Sequence, residues 1–502
     1  MSEFLTDTLK KAKKLALKND SIIRSDDLTR RERELLLEED FLYPIIRGWY
    51  LLVPNTIQAG DTTAWYCNVW NFMKQYLNER FGDEYCLSPE TSMYLHSRSG
   101  TVPEQIVVIA STGGSMTLNL PGNTSALLYK NTDSIPDETI KIDGLQCFPL
   151  ELSLIRLKPK YYENHQLNVE IGLSQVNFNN LLRTLLNKGH QQAANRLSGS
   201  FKSINQPEKA GKIIEAMQAA GHDVQPINPF GKTAPEINIS HSPSSPAAAR
   251  IELMWDSMRD PVIKLFPADP GIPEKPKVYF HEIETIYTQD AYHSLSIEGY
   301  QVTEELIKRI RKNKWSPGNH PGDENQKNAL AAKGYQNAFN EVKQTIQKCF
   351  DGENPGKVLE QDHQNWFREL FKPMIKANLL EPASLAGYRN QPVYIQNARH
   401  IPPRHTNVTD MMEVYFDKLK NEPKASVRAV LGHFIFVYIH PYMDGNGRMG
   451  RFIMNTMFAS GGFHWLVIEK HKRNTYMNTL ESASSDNNIE PFALFLRNLM
   501  KE

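Results

Sequence analysis

The sequence predicts a mainly α-helical protein. A helical bundle with one small β-hairpin fills the C-terminal half, behind a mixed α/β region and an opening group of helices with a short β element. Three observations point there. From residue 250 almost to the end, segments such as RIELMWDSMRDPVIKLF and NALAAKGYQNAFNEVKQTI carry apolar residues three and four apart, the period of a helix with one buried face. Between about 61 and 160, EQIVVIAS, SALLYKN and LSLIRLKP read as strands. Amid the later helices, YRNQPVYIQNARHIPP (388–403) reads as a strand pair bounded by prolines.

A chain of 502 residues exceeds one core and implies several domains. Lys+Arg and Asp+Glu both total 57, so the chain as a whole has no field to attract nucleic acid or an anionic membrane, although a local basic face stays open. Cys67, Cys86, Cys147 and Cys349 are scattered without a C-x-x-C pair, which argues against a zinc cage or a disulfide framework and fits a reducing compartment. The start MSEFLTDTLKKAKKLALKND is charged throughout, and no run of about 18 apolar residues occurs. The expectation is a cytoplasmic protein without a membrane partner.

Residues 1–60 open with Leu5, Leu9, Ala12 and Ala16 at helical spacing, then SDDLTRRERELLL with good N-cap residues, then YPIIRGWYLLV, a hairpin turning at Arg47-Gly48. Helices followed by a β-wing resemble a winged helix-turn-helix. Ten Lys/Arg there face ten Asp/Glu, so contact with DNA or with a protein both stay open. Residues 61–224 read as a mixed α/β domain with helices near 175–220; SMYLHSRSGTVPEQIVV resembles the central region of AbiEi-type antitoxins. Residues 225–249, rich in Pro, Ser and Ala, read as an extended linker. Residues 250–502 form the helical region.

The informative stretch is HPYMDGNGRMGR (440–451). Gly445, Gly447 and Gly450 form a G-x-G-x-x-G, and HWLVIEK downstream ends near Glu469, as a dinucleotide site would ask. That reading fails on three points. ASVRAVLGHFIFVYIH before it has the length and period of a buried helix. Residues 440 to 444, a proline among them, separate it from the first glycine. An acid before the glycines and two arginines after them are foreign to a site built from backbone N–H groups.

The same residues suit phosphate chemistry. Gly445, Asn446 and Gly447 expose consecutive N–H groups as an anion nest, and the helix that follows adds its positive end. Arg448 and Arg451, three apart, share a helical face and reach a polyphosphate. Asp444 is a hard oxygen ligand suited to Mg²⁺ on phosphates, and His440 can take a proton from a hydroxyl. Together they describe transfer from a nucleoside triphosphate to an alcohol.

This stretch resembles the Fic (Fido) motif H-P-F-x-[D/E]-G-N-G-R-x-x-R, with Tyr442 where Phe is usual. The resemblance implies a Fic-type bundle, with its Fido core over about 360–500, and a protein adenylyltransferase that moves AMP from ATP onto a Ser, Thr or Tyr hydroxyl of a target protein. It makes His440 the base and Asp444 the Mg²⁺ ligand. Asn446 and Gly447 line the nest, Arg448 contacts phosphate and Arg451 the γ-phosphate. The 388–403 hairpin resembles the flap that docks a target segment by strand addition, through Val393, Tyr394, Ile395, Gln396 and Asn397. RNTYMNTLESAS resembles the nucleoside-binding segment and puts Tyr476 near adenine, with Ser484 where some relatives have Asn.

YHSLSIEGYQVT contains Ser294-x-x-x-Glu298-Gly299, which resembles the family's inhibitory motif [S/T]-x-x-x-E-[G/N] on a helix of about 284–300. Lying ahead of the core, it implies a class II member in which Glu298 pairs with Arg451 and excludes the γ-phosphate. Removal of AMP and transfer of another group are family variants on the same scaffold, and many relatives dimerise, so a homo-oligomer is among the expected partners. A reading of another class is a DNA-binding, antitoxin-like regulator with a silenced Fic domain.

Overall fold

The computed structural model describes residues 3–53, 63–187, 189–230, 245–315, 326–395 and 398–501. Its contacts divide the chain into two compact units. One comprises Met1–Arg250 with Tyr394–Ile401, the other Ile251–Val393 with Pro402–Glu502.

The first unit begins with α1 (Glu3–Lys18), β1 (Ile22–Arg24), α2 (Arg30–Glu38), β2 (Leu42–Ile46) and β3 (Trp49–Leu52). Leu5, Leu9, Ala12 and Ala16 are the buried stripe of α1, as their spacing predicts. Thr29 and Glu32 close a capping box at the start of α2, each side chain accepting from the other's backbone N–H. The predicted hairpin forms at Arg47-Gly48, and the strands pair antiparallel in the order β1-β3-β2.

Next come α3 (Thr63–Phe81), β4 (Tyr85–Leu87), α4 (Pro89–His96), β5 (Gln105–Ala110), β6 (Met116–Leu120) and β7 (Thr124–Lys130), with a small pair, β8 (Ile140–Ile142) and β9 (Leu145–Cys147). The larger sheet runs β4-β5-β7-β6 with β5 and β7 parallel, a mixed sheet whose core includes Trp65, Phe72, Ile106, Val108 and Leu128. EQIVVIAS and SALLYKN therefore supply β5 and β7. LSLIRLKP does not supply a strand. It lies in α5 (Leu150–Arg156), where the turn after Pro149 starts a helix that buries Leu154 and Ile155. A short apolar run carries no period of its own, and tertiary burial decided this one.

The helices α6 (Pro159–Asn164), α7 (Gln166–Gln175), α8 (Phe178–Asn187), α9 (Gln191–Ser203) and α10 (Pro207–Ala219) complete the unit around a second core. The expected linker 225–249 is ordered at both described ends. Val224 and Phe230 are buried in that core, and Ala247–Ala249 are already helical. Phe230 brings enough apolar surface to fold onto that core. Its middle, 231–244, lies outside the described residues.

The second unit is helical: α11 (Pro246–Leu265, beginning in the first unit's sequence), α12 (Pro276–Ile297), α13 (Glu304–Arg311), α14 (Gln326–Phe350), α15 (Pro355–Lys376), α16 (Val408–Asn421), α17 (Ala425–Ile439), α18 (Asn446–Ala459), α19 (Arg473–Ser485) and α20 (Glu490–Leu499). Every residue of α17 except Val437 is buried, so the run before the glycines is the central helix and not a strand. Residues 388–403 form no strand among those described, against the expected hairpin. Pro392, Pro402 and Pro403 lack the N–H that a ladder needs, and the Arg389 and Ile401 N–H groups donate to the Pro441 and Gly100 carbonyls outside the segment. Among the described residues no helix is long and apolar enough to cross a membrane.

Candidate active site

The site is the turn between α17 and α18. His440 caps α17 in the left-handed conformation (φ 53°, ψ 58°), which costs a non-glycine residue about 1 kcal/mol and turns the chain sharply out of the helix. Its Nδ1 lies 3.2 Å from the Val437 carbonyl, so Nδ1–H donates and the lone pair sits on Nε2. Gly445, also left-handed (φ 83°), caps α18, and no side chain caps that N-terminus. The first N–H groups of α18 are thereby left to face an anion.

The Asn446 amide oxygen accepts from the Tyr442 N–H (2.9 Å) and its amide nitrogen donates to the Tyr442 carbonyl (2.8 Å), so the side chain closes the turn and leaves the backbone N–H for the expected nest. Tyr442 stacks on Phe367 with ring centroids 3.8 Å apart. Asp444 stands at the mouth with its side chain 63% exposed, accepting from the Gly445 N–H at 2.5 Å and from Arg448 at 3.5 Å.

Arg448 is fully buried, its guanidinium 5.1 Å from the rings of both Tyr300 and Phe371. Its Nε and Nη1, and Nη1 of Arg451, are buried N–H groups without a hydrogen-bond partner among the described residues. Orphaned cationic donors beside an uncapped helix N-terminus fit a bound polyphosphate.

Arg451 is otherwise engaged by α12. Its Nε donates to Ser294 Oγ (2.8 Å), and Nη2 donates to the Ser294 carbonyl (3.0 Å) and to Glu298 Oε1 (2.7 Å). Burial would raise the Glu298 pKa, but Arg451 and then Arg448 more than offset it and hold the carboxyl below its usual range. Burial likewise opposes charge on Arg451, and Glu298 outweighs it and raises that pKa. Glu298 is the C-cap of α12, followed by Gly299 at φ 86°. The Gly299 N–H donates to the Ser296 carbonyl and the Tyr300 N–H to the Leu295 carbonyl. That Schellman turn requires a residue tolerant of φ > 0 beside the glutamate. At Gly447 an added Cβ would lie 2.2 Å from Glu298 Oε1, so the carboxylate packs directly against the first turn of α18.

Residues 358–458 match the family described as Fic/DOC. Over those residues the chain is similar to a Fic domain. It is 32% identical over 121 residues to the "Protein adenylyltransferase Fic" of Drosophila willistoni, covering 23% of this chain and 24% of that one. It is 27% identical over 252 residues to the protein of the same name from Nematostella vectensis, covering 48% of this chain and 53% of that one. The chain thus spans about a quarter to a half of the length of these curated relatives. The solved C. elegans Fic-1 is 16% identical, at a TM-score of 0.38 over 64% of this chain and 89% of that one.

Tyr476 is buried next to Arg451. Its ring is 1% exposed against Phe492 and Phe495, and its hydroxyl meets His433 Nε2 at 2.7 Å, so no ring face is open to adenine. His433, absent from the sequence reading, is wholly buried; desolvation, then Arg451, pull its pKa down to about 3 and keep it neutral. One buried histidine among 15 gave no signal.

Of the flap residues, Val393 is buried and belongs to the second unit, whereas Tyr394 and Ile395 belong to the first. There the Thr63 hydroxyl donates to the Ile395 carbonyl (2.8 Å) and the Ile401 N–H to the Gly100 carbonyl (2.7 Å). Gln396 and Asn397 lie outside the described residues.

Asp290, also missed, anchors α12. It is buried and accepts from Tyr335 (2.7 Å) and Trp465 (3.0 Å), and its burial raises the pKa to about 6.

Proposed function

We propose that this protein is an adenylyltransferase that moves AMP from ATP onto a Ser, Thr or Tyr hydroxyl of a target protein, held inactive by Glu298. The observation that carries the reading is the Glu298 carboxylate seated between Arg451 and Gly447, at the mouth of an uncapped helix and beside orphaned arginine donors. A carboxylate is the one anion the chain itself can place where a terminal phosphate would bind.

In the forward reaction the target oxygen attacks the α-phosphorus in line. His440 takes the hydroxyl proton as the new P–O bond forms, and the bond to the β-phosphate breaks to release pyrophosphate. The N–H groups of α18 and the Arg448 guanidinium hold the charge that develops on the phosphoryl oxygens. Asp444 would hold Mg²⁺ jointly with the phosphates, and the ion when bound neutralises phosphate charge. With Glu298 in place ATP sits displaced, and a shift of about 1 Å from the in-line geometry costs on the order of 10²-fold.

The test is label transfer from α-³²P-ATP in cell lysate. Glu298→Gly should label proteins, this one included, well above wild type, and adding His440→Ala should abolish it. Equal labelling by Glu298→Gly and wild type overturns the inhibitory assignment. Labelling that survives His440→Ala overturns the base. Parallel reactions with labelled GTP and UTP identify the donor.

A further inference from the structure

The turn that brings Glu298 to Arg451 also brings a ring to the other motif arginine. Glu298, Gly299 and Tyr300 follow α12 in order, and the Tyr300 N–H closes the turn on the Leu295 carbonyl at 3.1 Å. In such a turn the residue at this place commonly packs its side chain back onto its own helix. Here the Arg448 guanidinium carbon lies over the Tyr300 ring, 5.1 Å from its centroid. Phe371, from α15, offers a second ring at the same 5.1 Å. Phe371 also packs under the turn into α18, where an added Cβ at Gly445 would come within 2.8 Å of it. All of these residues belong to the second compact unit.

Hydrogen bonds do not account for the placement of the buried Arg448. Its Nη2 reaches Asp444 at 3.5 Å, while Nε and Nη1 have no partner among the described residues. One long hydrogen bond holds a guanidinium loosely. Two ring faces within about 6 Å restrain it through their quadrupoles and occupy none of its donors. Burial raises the Tyr300 pKa and Arg448 offsets part of that rise, so the phenol stays neutral and meets the cation as a ring, not as an ion. We propose that Tyr300 is a positioning residue: with Phe371 it fixes the Arg448 guanidinium so that the donors left open serve the phosphates of ATP. This rests on the adenylyl-transfer reading, and it adds that one turn acts in two opposite ways. Glu298 blocks Arg451, and Tyr300, two residues on, prepares Arg448. Rotating the Glu298 side chain outward keeps that support, whereas withdrawing the whole turn loses it.

Isothermal titration with ATP in the Glu298→Gly background tests it. Tyr300→Phe keeps the ring and should bind within about threefold of the parent. Tyr300→Leu keeps an apolar contact without the ring face and should bind about tenfold more weakly. When Arg448→Met is already present, Tyr300→Leu should change the affinity by less than about threefold, because the group it positions is gone. An equal loss in both backgrounds, or no loss in the first, overturns the proposal.

Should Arg448→Met fail to fold, a series at position 300 decides. Phenylalanine and its mono-, di- and trifluoro ring analogues share nearly one shape, and each fluorine drains the negative ring face. ATP affinity should fall stepwise, to about tenfold below phenylalanine at the trifluoro ring, with helical circular dichroism retained. A flat series overturns the contact between ring and cation. These titrations read binding and not transfer. A Glu298→Gly protein that binds ATP but labels nothing defeats the transfer reading, and the series still judges Tyr300; one that binds no ATP defeats both.

Discussion

Glu298 Oε1 lies 2.7 Å from Nη2 of Arg451, a residue 153 positions further along the chain. The pair joins the C-cap of α12 to the first turns of α18, and Ser294 binds the same guanidinium twice. Arg451, Ser294 and Glu298 thus form one closed hydrogen-bonded set at the start of α18.

The first consequence is nucleotide selectivity. Under the proposed function Glu298 competes with the terminal phosphate of ATP, which ADP lacks. Glu298→Gln should raise the ATP-to-ADP affinity ratio by about tenfold, the order of one charged hydrogen bond. Isothermal titration of both nucleotides reads it; an unchanged ratio would place the γ-phosphate elsewhere.

A second consequence concerns pH. The folded pKa of Glu298 is depressed below the ordinary value of 4.5. Such a group adds stability above its unfolded pKa and loses it as pH falls through the folded pKa. The difference in melting temperature between wild type and Glu298→Gln should stay level from pH 8 to about 5 and shrink below that. A difference already shrinking between pH 7 and 6 would contradict the pairing.

Gly447 offers a double-mutant cycle. Gly447→Ala puts a methyl 2.2 Å from the Glu298 carboxylate and should cost on the order of 1–3 kcal/mol in urea unfolding. In a Glu298→Gly background the clash is gone, and most of that cost should vanish. Equal costs in the two backgrounds would mean that the carboxylate is not seated there in solution.

Tyr476 separates a buried support from a nucleotide contact. Tyr476→Phe removes the hydrogen bond to His433 and should cost about 0.5–1.5 kcal/mol of stability, with ATP affinity in Glu298→Gly protein changed by less than about threefold. A tenfold loss of affinity at unchanged stability would restore the adenine role.

Much of the site was legible because its parts are close in sequence. His440, Asp444, Arg448 and Arg451 span one helix end, one turn and one helix start, where spacing fixes direction. Other parts were not. The side chain of Asn446 closes the turn on the Tyr442 backbone, a contact that spacing alone does not announce. Residues 388–403 have the residues of a hairpin, but their prolines and their hydrogen bonds to Thr63 and Gly100 leave no ladder among the described residues. LSLIRLKP was too short for a period and became a helix.

The sequence by itself determined the turn that holds base, acid, nest and arginine pair, together with the long helices on either side. Helix period, cap residues and glycine backbone freedom act within a few positions and need no partner from afar. Only the tertiary structure decided that Glu298 pairs with Arg451 against Gly447, that Tyr476 bonds to His433 beside Arg451, and that Arg389 donates to the His440 carbonyl. Those contacts join residues tens to hundreds of positions apart, and the packing of α12, α17, α18 and α19 fixes their distances, which no local pattern encodes.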